Sequence, residues 1–347
     1  MFDDLLCRER VGVGNLGPVR GVARDGPTAK EGIVRSRVVV AAILVWSLLA
    51  LVSCTDRGAS ARGPGPPRSA LVSNDAGAQP SSSATVLAEL GRRALAFVLA
   101  DGVYVGRADG AGVRRITNIP GFEYQPDWTA DGTKLVLRVD DESGRAGGVW
   151  SVNADGSDPV DLVKRSGVAG GAPDWSPDGT KIAFVGKRLG ERFGIYVMNA
   201  DGSDPIRLTI QAYEAQYPDW SPDGARIAFT IVQGGQFDIY VMHADGSGLR
   251  QLTRAPGEDN WPEWSPDGTQ IVYSHASDLW MMNADGTRQH RLTVDAGEPS
   301  WSPDGAWIAF DCAPSSDADG GVCAIHPDGT RRTPILGRGG SFPAWRP

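Results

Sequence analysis

The stretch YPDWSPDGARIAFTIVQGGQFDIYVMHADGSGLRQLT, from Tyr217 to Thr253, recurs along the chain and leaves few folds open. It holds four short runs rich in β-branched and aromatic residues, the first three closed by turns and the last running on into the next copy. Pro218 to Trp220 runs into Ser221-Pro222-Asp223-Gly224, Ile227 to Phe229 into a Gly-rich loop, Ile239 to Met242 into Ala244-Asp245-Gly246, and Leu249 to Thr253 into the next copy. Proline at the second place of a turn presets φ, and glycine at the last takes a positive φ without strain, so S-P-D-G is a turn by construction. Four such runs predict a four-stranded antiparallel meander.

The same Trp returns at 128, 175, 220, 264, 301 and 345, with spacings of 47, 45, 44, 37 and 44. An Asp-Gly turn keeps step with it, beginning at Asp109, Asp155, Asp201, Asp245, Asp285 and Asp328. A period in the low forties with four strands per copy predicts an all-β, six-bladed β-propeller of four-stranded antiparallel blades. The repeat P-x-W-S-P-D-G, then I-A-F, I-Y-V-M-N-A-D-G and R-L-T, resembles that of TolB-type β-propellers, over roughly residues 94–347. The resemblance is specific for fold, and function has to be argued from the site. The resemblance to TolB itself would imply an α/β domain ahead of the propeller, and here the chain is expected to depart from it, because none fits between Cys54 and Ala94.

The first copy begins inside the repeat. Leu95 to Val98, Val103 to Val105 and Val113 to Thr117 match its last three strands, whereas Ser341 to Pro347 carries only the first. The C-terminal strand is therefore expected to join the N-terminal blade, closing the ring and removing its open edges. Prolines at 126, 173, 218, 262, 299 and 343 stand two residues before each repeat Trp. Proline cannot donate to a sheet ladder, so these are edge strands, which in a propeller means the innermost. The repeat Trp residues are then read as packing between blades, and Trp150, Trp280, Tyr240, Phe184, Phe229 and Phe310 as core.

Three regions are expected along the chain: a leader and signal at 1–53, a tether at 54–93 and the propeller at 94–347. Arg35 and Arg37 precede Val38 to Val52, fifteen residues that are apolar except for Ser47, where a membrane span needs about 20. Leu51-Val52-Ser53-Cys54 follows and resembles a bacterial lipoprotein signal, which implies cleavage before Cys54 and its lipidation. From Thr55 to Thr85, 20 of 31 residues are Gly, Ala, Ser or Pro, too little apolar surface to order a segment, so a tether of about 30 Å is expected. Gly12-Val13-Gly14-Asn15-Leu16-Gly17 matches a dinucleotide fingerprint in letters, but no strand precedes it and Pro18 follows it.

The formal charge of −8 argues against nucleic acid as partner. His243, His275, His290 and His326 show no H-x-x-x-H or H-x-H spacing, and there is no G-x-S-x-G elbow, so neither catalytic residues, metal nor cofactor is expected. The turn Asp residues are explained by turn chemistry. In an exported chain, Cys312 and Cys323, on the second and third strands of the last blade, are candidates for a disulfide.

The stereotyped turns fall on one face of the propeller. The variable linkers fall on the other, where function is sought. Between each Pro and Trp stand Asp127, Asp174, Asp219, Glu263, Ser300 and Ala344, so the innermost strands carry four acids. The linkers before them add Glu123, Glu214, Glu258, Asp259 and Glu298, with the aromatics Tyr124, Tyr217, Trp261 and Phe342. Without residues 1–53 the chain would hold 27 basic and 37 acidic residues, a formal −10. The reading is an envelope-anchored monomer, periplasmic or at the outer surface, that binds a basic protein or peptide through this acidic, aromatic mouth. The alternatives are a small-ligand or cation binder, or a carbohydrate lyase or hydrolase working in the channel.

Overall fold

The computed structural model describes residues 83–347 apart from 142–145, 165, 313–319 and 337–338. The leader, Cys54 and most of the expected tether lie outside the described residues. Twenty-four strands form six four-stranded antiparallel sheets. Blade 4 shows the pattern: Glu214–Trp220, Arg226–Gln233, Gln236–His243 and the short outer Arg250–Gln251. The innermost strands of the other blades are Phe122–Trp128 (blade 2), Ala169–Trp175 (blade 3), Asp259–Trp264 (blade 5), Ala296–Trp301 (blade 6) and Ser341–Trp345 (blade 1). Each of these touches the next around the ring.

Blade 1 is closed as the partial repeats predict. Ser341–Trp345 pairs antiparallel with Ala94–Leu99, placing Trp345 opposite Leu95, and Gly102–Arg107 and Arg114–Arg115 complete the sheet. The core is divided into six wedges, one between each pair of neighbouring blades. Trp220, for example, leaves blade 4 to pack with Ala172, Ala183 and Ile195 of blade 3. Replacing such a Trp by Ala would cost about 3–5 kcal/mol. Phe184, Phe229 and Phe310 are fully buried, whereas Trp150, Tyr240 and Trp280 only pack half-buried against the wedges.

The S-P-D-G turns work as their chemistry predicts. In blade 4 Gly224 N–H donates to Ser221 O at 2.8 Å, Ala225 N–H to Asp223 Oδ1 at 3.0 Å and Arg226 N–H to Ser221 Oγ at 2.9 Å. These bonds, the Ser221 hydroxyl first, hold the Asp223 carboxyl below its ordinary pKa. The A-D-G turns wedge against the preceding blade. A Cβ on Gly202 would lie 2.3 Å from Leu162 O, so glycine is required there for contact as well as for its φ of 83°.

Helix α1 (Ser83–Leu90) lies in the stretch that composition assigns to the tether. Val86 and Leu90 bury themselves against Trp307 and Leu336 of blade 6 and Leu95 of blade 1. The polar window ends at Thr85, and Val86-Leu87 with Leu90 one turn on supplies the apolar stripe that orders the helix. Among the described residues no helix is long and apolar enough to cross a membrane.

Candidate functional site

Each innermost strand carries one extra residue relative to its neighbour. In blade 4 Gln216 faces Thr230 and Asp219 faces Ala228, so Tyr217-Pro218 forms a bulge. The residue before the proline takes a left-handed backbone in every blade: Gln125 (φ 54°), Ala172 (48°), Tyr217 (54°), Trp261 (55°), Glu298 (51°) and Phe342 (50°). A left-handed conformation costs a non-glycine residue about 1–3 kcal/mol. Here it turns six side chains onto a cavity of about 130 Å³ on the propeller axis, also lined by the six prolines and the residues that follow them.

Aromatic rings span the mouth of this cavity. Tyr217 stacks on Trp261 at 3.8 Å, Trp261 meets Phe342 of non-adjacent blade 1 at 5.8 Å, and Phe342 meets Tyr124 at 5.9 Å. All four remain partly exposed on the side of the variable linkers. Arg138 lies 6.0 Å from the Tyr124 ring and is held by a bidentate pair with Asp140 at 2.9 and 2.7 Å.

Deeper in, the acids between Pro and Trp stitch one blade to the next. Asp127 Oδ2 accepts the Trp175 amide at 2.8 Å, Asp174 Oδ2 that of Trp220 at 2.6 Å, Asp219 Oδ2 that of Trp264 at 2.7 Å, and Glu263 Oε1 that of Trp301 at 2.9 Å. Ser300 Oγ continues the series to Trp345 at 3.4 Å. Ala344 has no such acceptor, and at that seam Trp128 Nε1 donates instead to Ala344 O at 3.2 Å.

The lumen is narrow and walled by protein, so it desolvates these carboxyls even though each keeps an edge on it. Burial pushes Asp127 up to about 6 against the hydrogen bonds that it accepts. Asp174 is raised well above its ordinary value by burial and then by the charges of Asp219 and Asp127, and it hydrogen-bonds to Asp127. Burial also raises Asp219, with the Asp127 charge adding, and Glu263, with the Asp219 charge adding. Burial thus disfavours the ionised form of all four carboxyls in the ring.

A second pair sits nearer the mouth. Glu298 hydrogen-bonds to Asp311, whose Oδ1 also accepts the Phe342 amide at 2.9 Å. Burial raises both, Asp311 to about 6. Burial and the Glu298 charge push the Tyr217 hydroxyl up to about 12.

The structure thus brings together Asp127, Asp174, Tyr217, Asp219, Trp261, Glu263, Glu298 and Phe342. Glu123 and Asp259 it places elsewhere. The Glu123 carboxylate is buried between blades 1 and 2, accepting the Val103 and Ile119 amides at 3.0 and 3.1 Å and the Thr117 hydroxyl. Asp259 is 1% exposed and bonded to His275 Nδ1 at 2.6 Å. Glu214 is half-buried and Glu258 exposed at the linker edge. Sequence reasoning passed over Gln125, Ala172, Arg138 and Asp311; the first two could have been found by asking what precedes each proline. Among the described residues no cluster of three or more His, Cys, Asp or Glu could hold a metal ion.

Comparison with known proteins agrees with the repeat. The crystal structure of TolB from Acinetobacter baumannii matches with a TM-score of 0.64 at 21% identity, over 77% of this chain and 71% of that one. A protein assigned as TolB from Agrobacterium tumefaciens gives 0.58 at 22%, over 71% and 91%. A chain of the nidogen/laminin complex gives 0.62 at 12%, over 74% and 98%. At these identities the likeness is one of fold. No curated protein sequence matches the chain. Residues 160–347, however, match the family model of the TolB beta propeller domain, and with its six Pro-x-Trp blades the chain belongs to that family.

Proposed function

We propose that this propeller is a non-catalytic protein-interaction module of the bacterial cell envelope. In this reading it captures an extended, basic segment of a protein or peptide partner at the channel mouth on the variable-linker face. The observation that carries the reading is the aromatic belt of Tyr217, Trp261 and Phe342, displayed by strained backbone over the axis, with Tyr124 packed against Phe342 at its edge. Aromatic side chains in ordered surroundings dominate binding hot spots, and strain of this kind gathers at functional sites. Glu258 and Glu214 at the rim supply the negative field, because the deeper acids are committed to the blades and burial disfavours their charge. A cavity of about 130 Å³ is small beside the roughly 300–1,000 Å³ of ligand sites, which gives an oligosaccharide-processing channel less support. Anchoring belongs to the same proposal: Cys54 is lipidated and residues 1–53 are removed.

Crosslinking in the envelope fraction identifies the partner, whose binding is then measured with purified chains. Trp261→Ala should weaken it by about 2 kcal/mol or more. Glu214→Gln with Glu258→Gln should flatten its salt dependence. Undiminished affinity in Trp261→Ala would move the binding site away from the mouth. Unchanged membrane partition and mature mass in Cys54→Ser would remove the anchor while leaving the module.

A further inference from the structure

The outer rim of blade 3, away from the channel, is unlike the rest of this acidic molecule. Between the strands Lys181–Lys187 and Gly194–Asn199, Arg188-Leu189-Gly190-Glu191 forms a turn. Glu191 N–H donates to Arg188 O at 3.0 Å, and Gly190 holds φ at 85°. Glu191 braces the turn from beneath: its carboxylate accepts the Arg188 amide at 3.2 Å, Arg207 at 3.3 Å and the Tyr196 hydroxyl. The apex of this braced turn is Leu189, 104% exposed.

Ile206 at 63% and Ile210 at 59% are the next most exposed large apolar side chains among the described residues, and both belong to the same rim. Arg188 reaches back to Pro205 O beside Ile206 at 3.4 Å, and Gln211, next to Ile210, bonds to Glu191. The flanking charges are Lys187, 4.2 Å from the Phe193 ring, with exposed Arg188 and Arg192. Of the nearby carboxylates, Glu191 is neutralised by Arg207 and Asp204 is bonded to Asn199 at 3.1 Å.

We propose that this rim docks on an anionic phospholipid surface, with Leu189 inserted among the acyl chains and Lys187, Arg188 and Arg192 on the phosphates. Three observations favour lipid over a protein groove. The apex is convex, the isoleucines lie along an edge instead of around a pocket, and the local charge is opposite to the chain's formal −8. A bilayer accepts an apolar tip without needing a shaped pocket, and basic residues beside it are attracted to anionic headgroups. The inference rests neither on the channel mouth nor on Cys54.

The test uses the full chain with photoreactive benzoylphenylalanine in place of Leu189, or of Asp223 on the opposite face as control. After illumination with vesicles of phosphatidylglycerol and phosphatidylcholine, lipid adducts are counted by mass spectrometry. Position 189 should give roughly tenfold more adduct than 223, and the excess should collapse with phosphatidylcholine alone and in Arg188→Ser/Arg192→Ser. Equal yields at the two positions, or a yield indifferent to phosphatidylglycerol, would overturn the proposal. So would protein adducts without lipid adducts at 189 in an envelope fraction, which would give the rim to an acidic partner protein.

Discussion

Gln125, Ala172, Tyr217, Trp261, Glu298 and Phe342 have nothing chemical in common, yet all six hold the same left-handed backbone. The conformation is imposed by the bulge and the ring, which is why no Gly or Asn announces it in the sequence. The prolines were legible because their missing N–H is a local property, whereas the turn of the residue before them is a tertiary one. Ala172→Gly should therefore relieve strain and leave stability within about 0.5 kcal/mol, or raise it. Ala183→Gly, on an ordinary buried strand of the same blade, should cost about 1 kcal/mol or more, both read from urea melts.

The acids themselves were visible between each Pro and Trp, but their stitching role was not, since each bonds an amide a whole blade away. Asp219→Ala should strand the Trp264 amide and cost about 1–3 kcal/mol, whereas Asp219→Asn keeps an acceptor and should cost less at pH 7. The sign of the pH dependence follows from the raised values. Asp127 goes from 3.8 to about 6 on folding, so between those limits the folded state binds more protons and loses stability as pH rises. That rise is worth about 3 kcal/mol between the two protonation states. The turn carboxyls such as Asp223 are lowered and work the other way, contributing stability above their unfolded pKa that is lost in stronger acid. Melting temperature should thus climb from pH 7.5 toward about pH 5 and fall again below about pH 3.5. A maximum at neutral pH would show that the ring is fully ionised.

At the scale of the element, the meander and its turns were readable almost strand by strand, because turn residues and alternation are local. Helix α1 was not, for a window dominated by Gly, Ala, Ser and Pro masked the short apolar stripe at its end. On blade 6, Cys312 lies opposite Gly321 and Cys323 opposite Phe310, a diagonal pairing that brings the Cα atoms to 5.7 Å with the sulfurs bonded. Mass spectrometry of non-reduced protein from an oxidising compartment should find no free thiol at either position. Reduction should lower stability by a modest amount, since the closed loop is short.

For the whole ring, the seam between blades 1 and 2 is the one where the residue between Pro and Trp, Ala344, has no side-chain acceptor for the next blade's Trp amide. Arg346 compensates there, lying over the Trp128 ring at 5.0 Å and donating to Gly132 O at 3.1 and 2.9 Å. Removing residues 341–347 takes away the clamp together with the strand that covers Ala94–Leu99. Yield of soluble propeller should drop sharply, with the remainder melting well below the intact chain.

Blade 1 also sets a clock. Its strand Ala94–Leu99 leaves the ribosome about 240 residues before its partner Ser341–Trp345, a wait of roughly 10–50 s at ordinary synthesis rates. For that interval the nascent chain presents an unpaired apolar edge while the remaining blades are still being made. A chaperone that shields such an edge would have its substrate during synthesis and lose it at closure, so demand for holding should track translation speed and not the stability of the finished ring.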